Sequence, residues 1–106
     1  MPKYLLKVCY TAEGAKGVLK DGGTKRRQAA QALVESLGGK LDSMYFAFGD
    51  TDVYAIADLP DNASMAAAAL ALGGSGTTTG TTTVLLTPEE VDQAIKKAPR
   101  YTPPGR

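Results

Sequence analysis

The chain has 106 residues, 43% of them apolar and 22% charged, enough for one hydrophobic core and too little for two independent ones. Twelve basic residues against eleven acidic ones leave a formal charge of +1, too weak a field to recruit nucleic acid. Histidine is absent and Cys9 is the only cysteine, which excludes an intrachain disulfide, a Cys/His metal site and every histidine-based proton relay; no metal or other cofactor is expected.

Met1-Pro2-Lys3-Tyr4 leads directly into a strand-like pattern, with no signal-peptide core. The longest apolar run, Met65 to Leu72, is far shorter than the roughly 20 residues of a membrane helix. The expectation is a cytoplasmic protein with no membrane partner. Tyr4 to Tyr10 alternates with period two, Tyr4, Leu6, Val8 and Tyr10 on one face and Leu5, Lys7 and Cys9 on the other, as in a central strand. Thr11 can cap a first helix from Ala12, which Gly14 and Gly17 should keep short or bent. After Gly22-Gly23, Thr24 reads as the N-cap of a second helix with an apolar stripe at Ala29, Ala30, Leu33, Val34 and Leu37, ended by Gly38-Gly39.

Met44 to Phe48 alternates as a second strand, Gly49-Asp50-Thr51-Asp52 reads as a turn, and Val53 to Leu59 completes a hairpin. Pro60-Asp61-Asn62 ends that strand and caps an alanine-rich helix from Ala63 to Leu72. Thr77 to Leu86 is β-branched enough to be a fourth strand, with Gly80 expected to form a bulge. Thr87-Pro88-Glu89-Glu90 combines an N-cap, a first-turn proline and a capping-box glutamate, predicting a last helix from Pro88 to Ala98. Residues 98–106, with Pro99, Pro103 and Pro104, form an extended tail to a single domain of residues 1–106.

The order β-α-β-β-α-β plus a terminal helix is the split βαβ arrangement of ferredoxin-like α+β domains, a four-stranded antiparallel sheet with its main helices on one face. The opposite face still carries apolar side chains and calls for a second copy of the chain or a ligand. Three segments, Lys3 to Val8, Met44 to Tyr54 and Thr82 to Glu90, resemble the GYD-domain family. The resemblance implies a dimeric α+β barrel in which two sheets pack face to face. Gly49 and Asp52 match the family's hairpin signature, while Thr51 stands at its usual tyrosine position and Thr77 to Thr83 replace a mixed-charge segment. The fold of that family hosts oxygenases, isomerases and plain binders, so fold alone does not choose among them.

Several groups carry candidate chemistry. Asp50 and Asp52 put two carboxylates in one turn, where repulsion can raise one toward a useful acid or base; Asp52 with Tyr54 is the candidate catalytic pair. Aspartates are also good turn formers through bonds to their own backbone. Lys7, Tyr45, Asp50 and Thr51 are candidate ligand contacts, with Asp52 or Asp58 as the expected acidic partner of Lys7. Thr24, Lys25 and Arg27, with Arg26 between them, form a possible anion site at a helix start, or a solvated charge run. Three functions follow: a homo-oligomeric module binding a small organic molecule between sheet faces, a cofactor-independent isomerase or monooxygenase using Asp52 and a tyrosine, and a structural assembly subunit.

Overall fold

The computed structural model describes all 106 residues. Eight elements follow in order: β1 (Lys3–Tyr10), α1 (Ala12–Asp21), α2 (Gly23–Ser36), β2 (Lys40–Phe46), β3 (Val53–Asp58), α3 (Asn62–Gly74), β4 (Thr78–Leu85) and α4 (Pro88–Lys96). The strands form one antiparallel sheet in the order β2-β3-β1-β4, so β1 and β3 are central and the Thr-rich β4 is an edge. This α+β order is compatible with the ferredoxin-like arrangement.

Tyr4 explains why β1 sits at the centre. Its ring is fully buried with Val34, Ala57, Leu59, Met65 and Ala68, and its hydroxyl donates to Asn62 Oδ1 at 2.6 Å. The strand thereby anchors α2 and α3 on the same side of the sheet. Asp61 starts α3 by accepting the Ser64 N–H at 2.8 Å, a bond that holds the pKa of its carboxyl below the usual aspartate value. Thr87 and Glu90 form the reciprocal capping box expected at the start of α4.

Three local expectations are corrected. β2 starts at Lys40 rather than Met44, and stops at Phe46 instead of Phe48. Its polar opening, Lys40-Leu41-Asp42-Ser43, reads as loop in sequence because a bulge between Leu41 and Ser43 breaks the alternation. Gly80 is no bulge: β4 pairs with β1 in unbroken register from Leu85 to Thr78. A glycine is needed there because a Cβ would lie 2.5 Å from the Lys7 carbonyl oxygen. α1 runs ten residues from Ala12 to the break at Gly22. Gly14 is a point of contact, where a Cβ would collide with the Thr77 carbonyl oxygen. Finally, Thr24 does not cap α2, which begins at Gly23 after Gly22 turns the chain at φ 84°. α1 and α2 meet at that kink with no loop between them.

Candidate functional site

Strand register assigns the two faces of the sheet. Tyr4, Leu6, Val8 and Tyr10 of β1 face the helices, flanked by Val53, Ala55 and Ala57 of β3. The opposite face carries a row across all four strands, Tyr45, Tyr54, Lys7 and Thr81, and beside it a second row, Ser43, Ile56, Leu5 and Thr83. Lys7, Tyr45 and Tyr54 thus come together on the open face. Tyr45 is 71% exposed and Tyr54 40%.

The carboxylates proposed to accompany them are engaged elsewhere. Asp58 forms an ion pair with Lys3 at 2.9 Å, and Asp42 is the other partner of that lysine. Lys7 therefore does not pair with Asp58. Asp52 accepts the backbone N–H of Tyr10 at 2.8 Å through Oδ2, while its own N–H donates to the Val8 carbonyl at 3.0 Å. It thereby closes the end of β1 against the β2–β3 hairpin. Asp50 and Thr51 lie in that hairpin loop, and the Asp50 carbonyl accepts the Cys9 thiol at 3.0 Å. Thr24, Lys25 and Arg27 lie exposed on the first turns of α2. Arg26 turns the other way and reaches Asp21 at 3.4 Å, which accounts for a basic residue near a helix start.

A large concavity lies on the helix side, between the sheet and the layer formed by α1, α2 and α3. It encloses about 360 Å³. Its floor is Leu6, Val8, Ala55 and Ala57, and its walls include Ala29 and Ala30 of α2 with Ala68 and Ala71 of α3. The space exists because these facing positions carry side chains of one carbon, so α2 and α3 cannot fill the sheet surface between them. Most of the lining is apolar, with Tyr10, Glu13 and Arg26 among the polar exceptions. The volume falls in the range of pockets that bind small organic molecules.

One end of this hollow is pinned by a cluster of local bonds. The Thr11 N–H donates to the Thr77 carbonyl at 3.0 Å, and the Thr11 hydroxyl donates to the Gly76 carbonyl at 2.9 Å while capping α1 through Gly14. This fixes α1 across the end of β1, beside Tyr10. Burial raises the pKa of the Tyr10 phenol; the Arg26 charge opposes the shift and the Asp52 charge adds to it. The phenol is a proton donor at neutral pH.

Neither the hollow nor its polar end was singled out by sequence reasoning, which looked to the open face. A signal was present in the recurrence of alanine on α2, β3 and α3, where larger core residues are usual. Its meaning depends on which alanines face one another across layers.

No curated protein matches the sequence. The GYD domain family model matches residues 4–95, nearly the whole folded part, and the chain belongs to that family.

Proposed function

We propose that the chain is a homo-oligomeric module that binds a small organic molecule, with the open sheet face joining two copies and the helix-side hollow holding the ligand. The observation that carries the ligand reading is the hollow itself: about 360 Å³ lined mainly by apolar groups, with the ionisable side chains of Tyr10, Glu13 and Arg26 at one end. The expected position between two sheet faces is thereby replaced by one within each protomer. Asp52 serves as a backbone acceptor in this reading and not as a general base.

Self-association is supported by the surface left uncovered. The accessible area is 7489 Å² for a chain of 11.0 kDa, against about 5,600 Å² for an ordinary folded monomer of that mass. The radius of gyration, 16.9 Å, exceeds the roughly 13 Å expected at this length. Both excesses come in part from α4, none of whose residues is buried, with Ile95 69% exposed. An excess of that size per chain is what an obligate interface of about 2,000 Å² or more in total removes. Tyr45, Tyr54, Leu5 and Ile56 supply the aromatic and aliphatic centre such an interface needs.

The test is chemical-shift mapping with an apolar probe such as naphthalene. Perturbations should centre on Ala30, Ala55, Ala68 and Ala71. Perturbations centred on Lys7, Tyr45, Tyr54 and Thr81 would place the ligand on the open face and overturn the reading.

A further inference from the structure

The hollow has two chemically different ends. At the Tyr4 end its walls pass into the packed cluster of Val34, Ala57, Leu59, Met65 and Ala68, where the one hydroxyl is already bonded to Asn62. At the other end Tyr10, Arg26 and Glu13 enter the lining from β1, α2 and α1. The neighbouring hydroxyls are committed: Thr78 donates to the Leu72 carbonyl at 2.9 Å, and Ser75 and Thr77 bond each other at 2.7 Å. The Tyr10 hydroxyl, by contrast, engages no group of the chain, and Arg26 spends a single N–H on Asp21 at the long distance of 3.4 Å. A guanidinium carries five N–H donors, so most of its capacity is free.

These donors stand over an apolar chamber, and that arrangement selects among ligands. A pure hydrocarbon filling the chamber would strip water from the phenol and guanidinium and replace it with nothing. A carboxylate would meet a crowded electrostatic environment. Asp21 already pairs with Arg26, Glu13 lines the same end, and Asp52 Oδ2 sits on the Tyr10 backbone N–H, so this end of the hollow already has three carboxylates at or near it. A fourth negative charge is disfavoured there.

Granted that the hollow is the ligand site, we infer that its ligand is a neutral, mainly apolar molecule bearing a carbonyl oxygen, which accepts from the Tyr10 hydroxyl and the Arg26 guanidinium while the apolar body lies over Ala55 and Ala57. The chamber is more than twice the size of an apolar cavity of roughly 150 Å³ that accommodates benzene, so it takes a fused-ring system or a chain of comparable bulk.

Three naphthalene probes separate the possibilities in a fluorescence or calorimetric titration: acetylnaphthalene with a neutral carbonyl, ethylnaphthalene with the same shape and no oxygen, and naphthoate with a carboxylate. The expected order has acetylnaphthalene about tenfold tighter than ethylnaphthalene, and naphthoate weakest. Tyr10→Phe should abolish most of the preference for the ketone without changing ethylnaphthalene, Arg26→Gln should reduce it further, and Ala30→Phe should weaken all three by filling the chamber. A ketone preference that survives both Tyr10→Phe and Arg26→Gln, or tightest binding by naphthoate, overturns the inference about the ligand while leaving the hollow as the site. If Ala30→Phe folds normally and changes none of the three affinities, the site reading fails, and the inference with it.

Discussion

Replacing Asp52 separates a structural acceptor from a catalytic base. Its carboxylate, half-buried, accepts the Tyr10 N–H at 2.8 Å, a contact between residues far apart in sequence that joins the hairpin to the end of β1. A hydrogen bond to a charged partner contributes about 1.5–3 kcal/mol, and partial access of water to the orphaned N–H reduces the loss. Asp52→Ala should therefore cost about 1–2 kcal/mol. Asp52→Asn keeps an acceptor oxygen and loses only the charge assistance, so about half that cost is expected. Asp50 contributes its carbonyl, not its carboxylate, to the Cys9 contact, and Asp50→Asn should stay within about 0.5 kcal/mol of the parent. In a thermal melt each kcal/mol corresponds to roughly 4–8 °C at this chain length. All variants must be compared at one protein concentration, since association would add to stability. If Asp52→Ala and Asp50→Asn melt together at the parent temperature, the account of Asp52 as a strand-end acceptor is wrong.

Other outcomes follow from the same structure. Tyr4→Phe should lose about 0.5–1.5 kcal/mol with the Asn62 bond, while Tyr4→Ala should lose about 3–5 kcal/mol by opening the core, both read by urea denaturation. Gly17→Ala should stabilise by about 0.5–1 kcal/mol, because open space surrounds the new methyl, whereas Gly14→Ala should destabilise through collision with the Thr77 carbonyl. Tyr54→Asp, which sets a charge in the middle of the open face, should shift sedimentation toward the monomer without lowering helix content. The Lys3–Asp42 pair raises the lysine pKa above 10.5 and holds the aspartate below 3.8, chiefly through their side-chain hydrogen bond. The aspartate contribution is present above its unfolded pKa and fades as pH falls through the lower folded value. The lysine contribution is complete below its unfolded pKa and fades as pH rises through the higher folded value. Lys3→Met should flatten the acid and alkaline limbs of the stability profile together.

The parts of the fold that could be read from sequence are those set by local chemistry. The caps at Asp61 and Thr87 satisfy backbone groups within a few residues and the alternation of β1 is carried by its own successive side chains, and each formed where expected. β2 was misread because its bulge answers to the register of β3, a distant segment. Gly80 and Gly14 were misread for a related reason: their missing side chains make room for carbonyls of Lys7 and Thr77, which only tertiary structure brings close. The same limit governed the site. Lys7, Tyr45 and Tyr54 do share one face, as period two requires, but a hollow made by alanines on separate elements has no local pattern.

The central claim, a ligand chamber inside each protomer of a homo-oligomer, is tested most directly by stoichiometry. Sedimentation fixes the number of chains in the particle, and calorimetric titration with acetylnaphthalene counts the sites. A chamber between the helices and sheet of every chain predicts one ligand per chain, hence two in a dimer. A single ligand shared by two chains would place the site between the sheet faces and contradict the account.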